Sequence, residues 1–269
     1  MAITNVDGVI AGMLAPADFL KVRSAVMEAA GIFTSLAYET GMPGAMAAPA
    51  PGMAGVALTT YDGQIPFSNP QSGYTYLTRF SATANTVGRL LLLDRLWHNS
   101  GIVVTTTTAQ TINSAAWPAR DRLETINGNN IFVAIEVRTA TTNASAITNT
   151  VMSYTNTGGT ASQIATVQSF PATAVAGTFV PFQLAAGDTG IKSIQTITLG
   201  TSYVGGAIHL VAYRILADLD LAIVYAGNSF GVIGGGLVRL FNNSVPFLVW
   251  LPSGTAATTI MGKLVYTQG

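Results

Sequence analysis

The sequence predicts a mainly β protein: a β-sandwich or jelly-roll-like domain with an N-terminal helix and an extended arm. Two observations carry this. From about residue 58 the apolar pattern repeats every second residue, most clearly at Ile131, Val133, Ile135 and Val137, with Glu136 and Arg138 on the opposite face. Glycine-rich turn signals then punctuate the chain at short intervals, as many short strands require. The expected division is a helix and arm over residues 1–57 and a β-domain over residues 58–269.

The helix is expected after Pro16. Phe19, Val22, Val26, Ala29, Ala30 and Phe33 fall at steps of three and four. Pro16 suits a first turn, Asp18 suits the positive end of the dipole, and Gly41 and Pro43 supply a stop. Residues 41–57, GMPGAMAAPAPGMAGVA, follow. Proline removes donors and glycine costs entropy there, so the segment reads as an arm laid along a protein surface.

The next stretch, TVGRLLLLDRLWHNSG, fits a buried strand or a short helix, ended either way by Asn99-Ser100-Gly101. Ile102 to Ile112 is almost wholly β-branched and holds four consecutive threonines, which predicts a strand. TVMSYTNTGGTASQIATV reads as a hairpin around Asn156-Thr157-Gly158-Gly159. Two strands are expected about the Gly187-Asp188-Thr189-Gly190 turn, then a long strand in GGAIHLVAYRILADLDLAIV, then a final pair about Pro252-Ser253-Gly254. VPFLVWL is apolar on both faces, which predicts a strand buried on both sides.

The 269 residues suffice for one large all-β domain or two small ones, with a core that needs no disulfide or metal. Cysteine is absent, which excludes disulfides, thiolate metal sites and cysteine nucleophiles. Only 9% of residues are charged, against about 25% in an ordinary domain, and the signs balance at 12 and 12. A surface this poor in charge favours association and can be covered without desolvating many ions. Nucleic acid is not an expected partner, because the basic residues are scattered; the closest cluster, Arg120 and Arg122, is interleaved with Asp121 and Glu124. No apolar run reaches the length of a membrane span, and the first residues lack the basic region of a signal peptide.

Candidate chemistry is sparse. Asp94 and His98 stand four apart, a spacing that would pair carboxylate and imidazole on a helix. The competing reading makes His98 a backbone-bonded residue at a strand or helix end, with Trp97 in the core. Gly227 to Gly231, GNSFG, matches the nucleophile-elbow pattern, but no His, Asp or Glu follows Ser229, so the required order fails. Gly231 to Gly236 lacks the acidic residue of a dinucleotide fingerprint. Asp218 and Asp220 share a strand face and are too close together to flank a substrate. His98 and His209 have no metal-ligand spacing. Tyr74, Tyr76, Phe80, Phe179 and Phe182 could form a sugar-stacking platform, although such aromatics in β proteins more often serve as core or interface anchors. No catalytic, cofactor-binding or metal residue is therefore expected, and no cofactor.

The chain resembles virion structural proteins of tailed bacteriophages. The resemblance lies in its order of helix, Pro/Gly/Ala arm and cysteine-free Thr/Asn/Gly-rich β-domain. It lies also in LLLLDRLWHNSGIVVTTTTAQTIN, GTFVPFQLAAGDTGIKSIQTITL, IHLVAYRILA and VPFLVWLPSG…LVYTQG. It implies a non-enzymatic capsid-associated or decoration protein, assembled in the host cytoplasm. Its partners would be copies of itself and other virion proteins such as the major capsid protein, with no nucleic acid or membrane. A tail, neck or fibre component with a receptor- or glycan-binding domain is the alternative, and a hydrolase comes last. The expected interface residues are Phe19, Phe33, Met46, Met53, Thr105, Thr107, Phe247 and Trp250. In this scheme the arm of residues 1–57 lies over a neighbour or the capsid lattice, and its removal would leave a folded domain that no longer assembles.

Overall fold

The computed structural model describes residue 3 and residues 5–269. The chain opens with helix α1 (Val6–Ala11), then strands β1 (Ala17–Arg23), β2 (Thr34–Ser35), β3 (Thr40–Met42) and β4 (Val56–Ala57). Next come β5 (Thr75–Ala84), β6 (Gly88–His98), β7 (Gln110–Thr111), β8 (Phe132–Thr139), β9 (Val151–Asn156) and β10 (Gln163–Thr166). β11 (Phe179–Pro181), β12 (Ile191–Thr198), β13 (Ala207–Leu221) and β14 (Asn228–Gly231) lead to helix α2 (Val232–Gly235). β15 (Val238–Leu240), β16 (Pro246–Pro252) and β17 (Thr258–Gln268) end the chain.

The strands form three sheets. The first has the order β14-β5-β17-β1-β3, with β15 also on β5. The second has the order β11-β8-β13-β6-β16-β2, with β4 also on β6. The third has the order β10-β9-β12-β7. All named pairs are antiparallel. The mainly β, sandwich-type expectation holds.

The second sheet is shared between two cores. Leu90, Leu92, Leu219, Leu248 and Trp250 pack with Phe19, Phe80 and Leu264 of the first sheet. Val133, Ile135, Val137 and Leu210 pack with Tyr154, Ile194 and Ile197 of the third. On its other face Leu93, Ala134, Val211, Tyr213 and Phe247 lie beneath Ala37 and Met46. The shared sheet is thus buried on both faces, which explains why β16 is apolar throughout.

Four expectations need correction. First, residues 17–23 form a strand, not a helix. Phe19, Lys21 and Arg23 are buried on one face and β1 pairs with β17 along its whole length. The period-two pattern wins because β17 offers a full edge of unpaired backbone groups, which the strand satisfies. The helix lies earlier, at α1, where the Asn5 side chain accepts from the Gly8 N–H at 2.8 Å. Second, the threonine run is a loop. Gly101 turns the chain at φ 81°, and Gln110 closes the loop by accepting from Val103 N at 2.8 Å and donating to its carbonyl at 2.9 Å. Only Gln110 and Thr111 pair, with β12. β-branching favours a strand only where a partner edge is present. Third, β11 and β12 lie in different sheets, and so do β16 and β17. The strands expected about the two turns are present, but each turn crosses between layers, so β16 and β17 do not pair with each other. Fourth, the arm is held by its own chain. Trp97 Nε1 donates to Ala54 O at 3.1 Å, Asn99 Nδ2 donates to Met53 O at 3.2 Å, and Met46 is buried.

The strand reading of LLLLDRLWH holds, as β6. The hairpin at Asn156–Gly159 joins β9 to β10 as expected.

Residues 1–57 contribute β1 to the middle of one sheet and β2 and β4 to another. Deleting them strips β17 of a partner and removes Phe19 from the core. The truncated chain is expected to be insoluble or to lose its cooperative unfolding transition, as read by circular dichroism. A folded, soluble 58–269 fragment would contradict this arrangement.

Candidate functional site

The charged residues inside the apolar strands form the most elaborate polar structure in the chain. β6 carries Asp94 and Arg95 side by side, so a strand must send them to opposite faces. Arg95 pairs with Glu136 of β8 through two bonds, Nη1 to Oε1 at 3.1 Å and Nη2 to Oε2 at 2.8 Å. Both side chains are wholly buried. Tyr38, from the segment before the arm, donates its hydroxyl to the same carboxylate at 2.7 Å. Burial alone would raise the Glu136 carboxyl, but the Arg95 guanidinium outweighs it and holds the group below its ordinary range. Burial, followed by the Glu136 charge, pushes the Tyr38 phenol well up.

A β-bulge completes this cluster. Trp97 faces Ala212 and Arg95 faces Tyr213, so Leu96 is an extra residue in β6. The bulge restores Arg95 and His98, three apart, to one face. Arg95 Nε donates to His98 Nδ1 at 3.3 Å, and Tyr61 meets the imidazole edge-on, 4.7 Å between centroids. Burial, then the Arg95 charge, lowers the His98 pKa to about 3. His209 is also buried, its pKa is lowered chiefly by burial, and neither ring nitrogen has a partner among the described residues.

Asp94 faces the other side. It accepts from Arg120 Nη2 and Nε, both at 3.2 Å, from Ser244 Oγ at 3.0 Å and from Val245 N at 2.8 Å. Arg214 lies 3.8 Å away. The Asp94–His98 pair considered from the sequence does not form, because β6 separates the two side chains. Ser229 sits exposed on edge strand β14. Asp218 is half-buried and Asp220 exposed, and both pair with Arg89. No group of three His, Cys, Asp or Glu side chains that could hold a metal occurs among the described residues.

The residues expected at subunit interfaces divide sharply. Phe19, Met46, Phe247 and Trp250 are core residues of the chain itself. They are therefore not free to meet a neighbour. Phe33 and Met53 are half-buried, and Thr105 and Thr107 are exposed in their loop. Of the aromatics weighed as a sugar platform, Phe80, Phe179 and Phe182 are core, Tyr76 is half-buried and Tyr74 is exposed. Sequence reasoning gave Arg95, Arg214 and Arg239 no role, and it assigned no buried partner to Glu136 or Arg120. The signal was available for three of them: a charge flanked by apolar residues within a strand must have a buried partner.

Two surface features stand out. One end of the sandwich gathers the crossings between the first and second sheets, at residues 24–33, 85–87, 222–227 and 253–257. Val26, Val87, Ile223, Val224 and Tyr225 are exposed on these loops. Tyr225, 77% exposed, is held at φ 60° by a bond from its N–H to Ala84 O at 2.7 Å. A bulky residue rarely adopts that conformation, and its cost must be offset by the surroundings. The other feature is a small cavity beside Tyr74, treated below.

Neither a family model nor a curated protein matches the chain. Two solved structures align to it weakly. One, the structure of infectious bursal disease virus Gt strain, shares 13% identity at a TM-score of 0.15, over 93% of this chain and 64% of that one. The other, a crystal structure of the infectious bursal disease virus VP2 subviral particle, shares 11% at a TM-score of 0.12, over 97% and 68%. The chain thus spans less than two thirds of the first. Scores this low place the chain in neither protein's fold family.

Two tests address the buried cluster. Arg95→Met strands the Glu136 carboxylate and is expected to cost about 3–5 kcal/mol in urea denaturation, whereas adding Glu136→Leu recovers most of the loss. Acid sensitivity follows from the histidines. The unfolded chain takes up their protons near pH 6.5, the folded chain at lower pH, and for His98 only near pH 3. Stability therefore falls as pH drops below about 6.5, by up to about 1.4 kcal/mol per pH unit for each imidazole. His209→Leu is expected to flatten that slope, and a slope unchanged by the substitution would contradict the assignment.

Proposed function

We propose that this chain is a non-enzymatic structural protein of a virus particle, a capsid-associated or decoration component that packs against copies of itself and against other particle proteins such as a major capsid protein. The observation that carries the reading is the distribution of charge. Eight of the 24 charged side chains, among them Arg23, Asp94, Arg95, Arg120 and Glu136, are buried inside the chain. The sixteen that remain are outnumbered by the twenty large apolar side chains that stand exposed among the described residues. An isolated soluble domain carries the opposite balance on its surface. Neighbours can cover such a surface while desolvating few ions.

The resemblance to tailed-phage virion proteins supports the same reading and supplies the particle. The loop end supports it locally. Its apolar tips lack free charges: the one charged residue among the four loops, Glu28, turns inward to accept from Val175 N at 2.8 Å. Two copies can therefore meet there without like-charge repulsion. Tyrosine on a preorganised loop is a strong interface anchor.

Light scattering across a concentration series tests the proposal. A discrete oligomer, or a mass that rises with concentration, is expected. Ile223→Ser with Tyr225→Ser should weaken association about tenfold or more while leaving the fold intact. A monomer at every concentration would overturn the assembly role.

A further inference from the structure

A second surface of the chain has the marks of a binding site. Arg239 of β15 lies beside Tyr74, just before β5, because β15 pairs with β5. Its guanidinium stands 3.8 Å from the Tyr74 ring centroid and 4.7 Å from that of Phe241. Glu124 grips the same guanidinium fork to fork, at 2.7 and 2.8 Å. An arginine stacked between two rings and held by a bidentate carboxylate has lost its freedom before any ligand arrives.

The supporting loop is rigid as well. Asp121 is buried, and its carboxylate accepts from Leu123 N, Thr125 N, Thr125 Oγ1, Asn129 N and Asn129 Nδ2 at 2.6–3.0 Å. That network fixes the loop from which Glu124 projects. Glu124 itself is held at φ 61°, a conformation rare for a residue with a side chain. Strain kept at an exposed position is a mark of a functional site.

Between these groups is a cavity of about 160 Å³, with Tyr74, Glu124, Arg239 and Asn242 among its walls. It is the size of a single pyranose ring. Tyr74 is 49% exposed. Asn242 is exposed, and its amide takes no partner among the described residues, in contrast to the adjacent Asn243, which is bonded to Asn69. The site therefore offers an aromatic surface, an amide that can both donate and accept, and a carboxylate with spare lone pairs.

We infer that this cavity binds the terminal residue of a neutral glycan. The charge balance selects the ligand class. Arg239 and Glu124 cancel, so neither an anion nor a cation gains from entering. A hydroxyl-rich neutral ring does gain. Its C–H face stacks on tyrosine, and neighbouring hydroxyls bond to the carboxylate and the amide. The shell role does not depend on this site, which lies away from the apolar loop end.

Saturation-transfer NMR on the full chain tests the inference, with maltotriose, cellotriose, mannotriose, chitotriose and lactose as neutral probes and sialyllactose as the anionic one. Millimolar binding of at least one neutral probe is expected. Tyr74→Ala should weaken it about tenfold or more, and Asn242→Ala, on an exposed residue, several-fold. The assembly mass should be unchanged by either substitution. Circular dichroism checks each variant, and if Tyr74→Ala disturbs the fold then Asn242→Ala decides. Binding of no neutral probe, binding of sialyllactose alone, or affinity indifferent to the deciding variant would each overturn the inference.

Discussion

The structure turns on the bidentate pair between Arg95 and Glu136. Both ions lie on one face of the shared sheet, with His98 beside them, and both are closed off from water. The segment around Tyr38, Met46 and Tyr61 lies over that face, and Tyr38 supplies the pair's third partner. Against well-packed hydrocarbon a pair of this kind adds little net stability. Its effect is on alternatives: any slip of β6 against β13 and β8 that separates the ions is strongly penalised. The bulge at Leu96 belongs to the same device, since without it His98 would point to the opposite core.

Asp94, one residue earlier, anchors a second network on the reverse face, and that network does not stop in the interior. Arg214 reaches from Asp94 to the ring of Phe241 at 4.7 Å, Arg239 meets the same ring at 4.7 Å, and Tyr74 lies against Arg239. Cations and rings alternate from a buried carboxylate to an exposed tyrosine. Each contact is modest, but together they fix the orientation of a surface side chain by reference to the core. A third of the chain's charged side chains are buried in its interior, which thins the charge left on its outer surface.

The β class was legible because the alternation at Ile131–Val137 is free of competing signals. The burial of VPFLVWL on both faces was legible for the same reason: an apolar run with no polar side has no solvent face to offer. The segment after Pro16 misled because Phe19, Val22 and Val26 satisfy a helical period, while the decisive fact, the open edge of β17, is some 240 residues away in the chain. The threonine run misled because β-branching reports a local preference and says nothing about whether a partner strand is near. Individual ion pairs were illegible in detail. Arg95 and Glu136 announce that they need partners, but 41 residues separate them, and only the sheet order brings them together. The Tyr74 cavity was half legible: its aromatic was singled out, but Arg239 and Glu124 come from segments that sequence alone gives no reason to join.

The pairing of β1 with β17 sets the order of events when the chain is made. Ala17 meets Leu264 and Arg23 meets Thr258, so the first sheet cannot form its central pair until nearly the whole polypeptide has left the ribosome. Until then Phe19 and the strand around it have no home, and the apolar face of the shared sheet is open. Loop closure over such a span makes folding slow and leaves intermediates prone to stick to one another. For a chain that leaves large apolar side chains such as Ile223, Tyr225 and Ile233 exposed even when folded, closing that last strand is the step that separates folding from aggregation.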